Sequence, residues 1–457
     1  MSAASNILLA YYGDDFTGST DVMEALASNG VKCVLFLCPP TSRQLDRHPD
    51  ARAFGIAGSS RAMSPDQMAR ELPTVFAALK ASRAPIVHYK ICSTFDSAPN
   101  VGSIGKAIEI GRQVFGNAPT PLVVGAPVLG RYVVFANLFA RSGIDSEPSR
   151  LDRHPTMRSH PVTPMDESDL RLHLLRQTNL PVQLVDVLKL NENEIRVDSI
   201  LGNASPANGP ILLFDTLEER HLRSIGRIIE ELSVRHRPLF CLGSSGIEYA
   251  LAAHRSSASD RPRTQVPKPA QVQQVLAVSG SCSPVTARQM DRAADHGFEL
   301  IALDPGLFLG RDRCDVNQVV RQAVKLSQEG RSVILHTSHG PSDPRIETIS
   351  RSLTQQPDPT AAGAWIGTIL GELLEAIIGQ APVSRLVVCG GDTSTCVARA
   401  LGLEALEYIG PMAPGSPLCR VHAPGRAADG REIVFKGGQV GRDNFFLDVL
   451  TGGPLRD

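Results

Sequence analysis

The 457-residue sequence has almost no surplus charge: 46 basic and 47 acidic residues leave a net charge of -1. No block of lysine or arginine stands out, so the electrostatic footprint of a nucleic-acid binder is missing. An apolar run of 18 residues is also missing, and no membrane span is expected. Nine cysteines occur singly, at 33, 38, 92, 241, 282, 314, 389, 396 and 419, without a CxxC pair. That scatter suits reduced thiols in a soluble cytoplasmic protein better than disulfides or a zinc site. The opening MSAASNILLAYYGDD has no basic n-region and soon meets two acids, which argues against a secretory signal. A P-loop spacing, a GxSxG elbow and a Rossmann fingerprint with its ribose-binding acid are absent too. The lone tryptophan, Trp365, lies in a helical pattern and is expected in the core.

What is present is alternation. Strands are expected near 7–12, 32–37, 52–57, 85–91, 121–125, 210–214 and 238–242, with helices near 18–29, 65–81, 101–115, 166–177 and 217–234. Residues 254–272, HRSSASDRPRTQVPKPAQV, are rich in Ser, Pro and charge and read as a linker. The pattern then restarts, with strands near 274–279, 298–302, 332–335 and 384–389 and helices near 284–295, 315–328 and 361–379. The expected fold is therefore two α/β domains with mainly parallel sheets, 1–253 and 273–457, joined by 254–272.

Ligands of open α/β sheets sit beyond the carboxyl ends of the strands. YYGDDFTGSTD, residues 11–21, puts Asp14 and Asp15 there, ahead of a glycine and hydroxyls that can open a helix. A helix cap needs only one acid; two together raise one pKa unless a cation compensates, and suit a base or a hydroxyl acceptor. HYKICSTFDS, residues 88–97, delivers Lys90, Ser93, Thr94 and Asp96 to another strand end. If the first and fourth strands are near neighbours, Lys90 can neutralise the aspartates and an acidic substrate. DRHPTMRSHPVTPMDESDLR, residues 152–171, reads as a stiff cationic loop in which Arg158 and His160 can grip a carboxylate.

The second half offers glycine-bordered turns instead. VSGSCSPVTARQ, residues 278–289, sets Ser279, Gly280 and Ser281 between a strand and a helix, where backbone amides can approach a phosphate. VVCGGDTSTCVARAL, residues 387–401, repeats the arrangement with Gly390, Gly391, Asp392, Thr393 and Ser394. Its acid and hydroxyls can reach phosphate or magnesium. GPMAPGSPL and KGGQVGRDNFF add Gly415, Lys436, Gly437, Gly438 and Gly441, and together these turns suggest nucleotide phosphate binding. His336 and His339 are read as loop residues bordering the nucleotide.

Taken in order, GDDFTGSTD, KICSTFDS, SHPVTPM, VSGSCSPVTARQ, GGDTS, GP...PGSP and KGGQVG resemble the four-carbon acid sugar kinase family over nearly the whole chain. The resemblance implies an N-terminal domain for the acidic sugar, a C-terminal domain for ATP, and an active site in the interdomain cleft. It implies nucleotide contacts from Ser279, Ser281, Gly390 to Thr393, Gly415 and Gly438. Asp14, Asp15, Lys90, Ser93, Thr94, Arg158 and His160 fall to the substrate side. Departures from the family pattern are YYGDD for ADD, GGDT for GGET, and KGGQVG for KSGNFG; the shorter Asp392 turns a direct contact into one through water or magnesium. The STFD stretch and the YYGDD opening are similar to 3-oxo-acid kinases of the family and rank 3-oxo-isoapionate first, ahead of 3-oxo-tetronate, threonate and erythronate. The expected cofactors are ATP and Mg2+, with metal ligands unassigned. The expected partners are a small sugar acid and ATP or ADP, with room for a homo-oligomer. A non-catalytic nucleotide sensor and a dehydrogenase are the competing readings; the paired acids argue against the first and the missing fingerprint against the second.

Overall fold

A computed structural model describes residues 7–142, 146–160, 162–192, 195–202, 209–257, 268–309, 313–353 and 361–453. The chain divides into two compact units, Met1–Gln265 and Val266–Asp457. The helix Gly246–Ser257 continues past the start of the expected linker, because Tyr249-Ala250-Leu251 keep an apolar face to bury before the Ser-rich stretch begins. Residues 258–267 of that linker lie outside the described residues. Among the described residues no helix is long and apolar enough to cross a membrane.

The strands of the first unit are β1 Leu9–Gly13, β2 Cys33–Phe36, β3 Ala53–Ala57, β4 Ile86–Lys90, β5 Thr120–Val123, β6 Arg131–Val134, β7 Asn137–Ala140, β8 Ser149–Arg150, β9 Val182–Val185, β10 Ile211–Phe214 and β11 Leu239–Gly243. Eight of them form a sheet in the order β2-β3-β1-β4-β11-β5-β10-β9, all pairings parallel. Residues of β1, β2, β4, β5, β10 and β11 are buried throughout, as a parallel sheet covered on both faces requires. β6, β7 and β8 make a separate antiparallel sheet that alternation of long apolar runs does not announce.

The second unit holds β12 Val275–Ser279, β13 Glu299–Ala302, β14 Val333–His336, β15 Arg385–Cys389, β16 Ala405–Ala413, β17 Ser416–His422 and β18 Glu432–Lys436. Their order is β13-β14-β12-β15-β18-β17-β16. The first five are parallel, while β17 runs against both β18 and β16. The GPMAPGSPL segment is thus largely strand: Pro414 and Gly415 turn a tight hairpin, with Ala413 opposite Ser416 and Gly415 at a φ of 74°. Pro followed by a positive-φ Gly is the sequence of a type II turn. Trp365 is not core. It stands 44% exposed on the helix Ala361–Ile378 and donates its indole N–H to Phe308 O at 2.8 Å, a polar edge that a buried position would have to satisfy as well.

Candidate active site

Asp14 and Asp15 follow β1 at the carboxyl edge of the first sheet, and their surroundings separate them. Asp15 is the N-cap of the helix Phe16–Ser28: Oδ1 accepts the Gly18 N–H at 3.0 Å and Oδ2 accepts the Thr17 hydroxyl at 2.6 Å. A cap of this kind is worth about 1 kcal/mol. It occupies one acid only, and Asp14 plays no part in it. Asp14's side chain is 4% exposed against 25% for Asp15.

Arg61 binds both. Its Nε and Nη2 lie 3.2 and 2.6 Å from the two Asp14 oxygens, and Nη2 is 2.7 Å from Asp15 Oδ1. Arg61 is absent from the residues singled out in the sequence. It sits in the turn Ser60–Ala62 just past β3, so the strand-end rule applied to the third strand would have found it. Burial pushes the Asp14 carboxyl up to about 6, against the pull of Arg61 and with help from the Asp15 charge. Burial opposes ionisation of Asp15 too, but Arg61 and Lys90 hold it below its ordinary value. The adjacent acids are therefore driven apart in acidity, as in sites that assign different roles to two carboxyls.

β4 pairs directly with β1, Gly13 opposite Lys90, which makes the expected neighbours true neighbours. Lys90 is buried, and its Nζ lies 3.3 Å from Oδ2 of Asp21, the third acid of YYGDDFTGSTD. Burial lowers its basicity, yet Asp21, Asp15 and Asp14 together raise it above the ordinary value, so the ammonium stays charged. Beyond it, Phe95 adopts a φ of 58°, a left-handed conformation that bends STFDS back on itself. Thr94 and Asp96 are buried there, Ser93 half-buried. Asp96 accepts the Thr163 hydroxyl, which ties the SHPVTP loop to this turn. His160 Nδ1 accepts the Thr163 N–H at 3.1 Å, so the proton of the neutral ring sits on Nε2. Nδ1 lies 3.8 Å from Asp96 Oδ1. Arg158 is exposed at the surface of the same loop.

In the second unit β12, β15 and β18 are adjacent, so their three turns share one carboxyl edge. The turns are packed to the limit. A Cβ on Gly280 would fall 2.3 Å from Thr393 Oγ1, and one on Gly438 2.7 Å from Ser281 Oγ; Gly390, at a φ of 125°, tolerates no side chain on conformational grounds. Gly391, which opens the helix Gly391–Ala400, faces space: a Cβ there meets nothing within 4 Å. Ser279 and Ser281 bond within their own turn, Ser281 N–H to Ser279 Oγ at 3.4 Å and Ser281 Oγ to Thr286 Oγ1 at 3.1 Å. The antiparallel register of β17 puts the Pro414–Gly415 turn at the sheet end where Lys436 finishes β18. The side chain of Asp392 lies outside the described residues.

Lys436 does not reach outward. It is fully buried, and its ammonium donates to Thr286 Oγ1 at 3.1 Å and to the carbonyls of Gly437 and Gly438 at 3.0 and 3.4 Å. Burial lowers its pKa, the nearby Cys389 thiol opposing the shift. His336 also faces inward, its Nδ1–H donating to Ser338 O at 3.1 Å, and burial with the Arg345 charge pushes it down to about 4. The edge as a whole offers amides, hydroxyls and room beside a helix N-terminus, the chemistry of a polyphosphate cradle.

Residues 9–251 match the family model of a sugar-binding N-terminal domain, and residues 276–446 that of a nucleotide-binding C-terminal domain. The chain is 45% identical to the 3-oxo-isoapionate kinase of Paraburkholderia graminis, covering 98% of this chain and 95% of that protein. A 3-oxo-tetronate kinase of Methylobacterium radiotolerans is 30% identical over 98% and 100% of the two chains. A D-threonate kinase of Salmonella typhimurium is 29% identical over 96% of each. The fold is shared with the crystal structure of the Haemophilus influenzae protein HI1011, at a TM-score of 0.70 and 19% identity over 96% of this chain and 98% of that one.

Proposed function

The chain belongs to the four-carbon acid sugar kinase family, and from that premise we propose that it transfers the γ-phosphoryl group of ATP to a primary hydroxyl of 3-oxo-isoapionate. One observation carries the choice of substrate: identity to the 3-oxo-isoapionate kinase is half as high again as identity to the 3-oxo-tetronate kinase. Phosphoryl transfer asks for positioning and neutralised charge more than for a covalent nucleophile. The two carboxyl edges supply these separately.

Asp15, partly open and held ionised, accepts the proton side of the acceptor hydroxyl. Arg61, anchored on Asp14, fixes its orientation. Lys90, Ser93, Thr94, Asp96, Arg158 and His160 line the sugar-acid side. The amides around Gly280, Gly390, Gly391 and Gly438 hold the nucleotide phosphates, with Thr393 and Gly415 beside them and Ser279, Ser281 and Lys436 shaping the turns. The packed glycines and the open space at Gly391 fit a phosphate group. Mg2+ would accompany the nucleotide and screen its charge. Cys33, Cys38, Cys92, Cys241, Cys282 and Cys389 keep free thiols, which supports a cytoplasmic setting.

The test is ADP release with 3-oxo-isoapionate, 3-oxo-tetronate, D-threonate and D-erythronate. The highest kcat/KM is expected with 3-oxo-isoapionate. A preference for 3-oxo-tetronate would overturn the substrate, and ATP binding without turnover of any acid would overturn the kinase.

A further inference from the structure

A sugar acid differs from a neutral sugar by its carboxylate, and three basic side chains of the candidate site are already engaged. Arg61 spends its Nε/Nη2 edge on Asp14. Lys90 is paired with Asp21. His160 uses Nδ1 to accept from Thr163.

Arg131 is different. It opens β6, eight positions beyond the end of β5, and so comes from the same carboxyl edge of the sheet. Its Nη1 donates to three carbonyls, Leu129 O at 3.0 Å, Gly130 O at 3.3 Å and Arg141 O at 3.0 Å. Those bonds lock the guanidinium plane. Among the described residues its buried Nε has no hydrogen-bond partner, and Nη2 makes no hydrogen bond either. The guanidinium lies in the field of Asp21, the acid paired with Lys90, and its own field reaches His154 of the cationic loop. Asp21 belongs to the strand-end cluster and His154 to the cationic loop, the two segments assigned above to the sugar acid.

A fixed guanidinium with a free Nε/Nη2 edge is a side-on receptor for a carboxylate, two parallel N–H donors at matching spacing. Within this protein the same edge of Arg61 already grips Asp14 in that manner. We propose that Arg131 is the specificity-determining residue that receives the carboxylate of the sugar acid through Nε and Nη2. The assignment rests on the sugar acid kinase reading. It also gives a reason for rejection of neutral sugars: without a carboxylate the buried Nε–H stays unpaired, and a polar group left in that state penalises the wrong ligand.

The experiment compares wild type, Arg131→Lys, Arg131→Met and Arg131→Gln on 3-oxo-isoapionate, 3-oxo-tetronate and D-threonate, and on the carboxamide of whichever acid is turned over. Loss of a bidentate charged contact should raise KM for the acid roughly 10- to 100-fold in Arg131→Met, with KM for ATP unmoved. Preference for acid over carboxamide should collapse, and Arg131→Lys should recover part of it. An unchanged acid KM, or an intact preference for acid over amide, overturns the proposal. If Arg131→Met does not fold, Arg131→Gln, which keeps an N–H for the carbonyls, carries the same expectation. Calorimetric titration of D-threonate and 3-oxo-tetronate separates the two levels of inference. Wild type that binds acid without phosphorylating any of them defeats the kinase reading alone, and Arg131→Gln binding as tightly as wild type defeats Arg131 alone.

Discussion

The two units present the same topological place, the carboxyl edge of a parallel sheet, in opposite chemical forms. The first crowds ionised side chains together: Asp14, Asp15, Asp21, Arg61 and Lys90 all lie within or beside one hydrogen-bonded cluster. The second is built of backbone and hydroxyls, and Lys436 there is turned inward. The difference teaches how each partner can be recognised. A sugar acid with few atoms needs directed, charged contacts that select hydroxyls and a carboxylate. A polyphosphate carries so much charge of its own that correctly aimed amides suffice.

Substitutions should sharpen that contrast. Asp15→Asn should lower kcat roughly 100- to 10,000-fold, in the range of a lost acid–base contribution, while ADP affinity measured by calorimetry stays at the wild-type value. Unchanged turnover would remove Asp15 from the chemistry. Arg61→Met strands two acids at a largely buried edge and should cost roughly 3 kcal/mol of stability in urea unfolding. Gly391→Val, placed where a side chain meets only space, should leave the melting temperature alone but weaken ADP binding by about 10-fold or more. Wild-type affinity in that variant would move the phosphates elsewhere.

Asp14 gives a pH signature. Its carboxyl holds a proton more tightly when folded, up to about 6, than at the ordinary value of 3.8. Its contribution to stability is therefore full at acid pH, declines as pH rises between those values, and is lost above about 6. In Asp14→Asn that decline should disappear from melting temperatures scanned from pH 4 to 7. The smallest effect belongs to Arg158→Ala: an exposed loop residue should change stability by about 0.5 kcal/mol or less.

Much of this was legible in the sequence, for physical reasons that also set its limits. Buried parallel strands announce themselves as short apolar runs, so β1, β4, β12 and β15 and the residues just past them were found directly. Prolines and glycines hid the β16–β17 hairpin, since GPMAPGSPL carries turn residues inside strands. Arg61 stands four residues past β3, within reach of the strand-end rule, whereas nothing local marks Arg131. Arg61 depends on β3 lying beside β1, and Arg131 on three carbonyls immobilising Nη1. Which of two adjacent acids caps the helix is likewise a matter of one residue of register, decided by backbone geometry at Asp15.

The inward lysine has a further consequence. In a trans peptide the C=O and the next residue's N–H point in opposite directions. By drawing the oxygens of Gly437 and Gly438 toward its ammonium, Lys436 turns the hydrogens of Gly438 and Gln439 the other way, away from its charge. Its buried positive charge sets the polarity of two peptide planes, and their far side carries donor hydrogens where a flipped loop would carry oxygens.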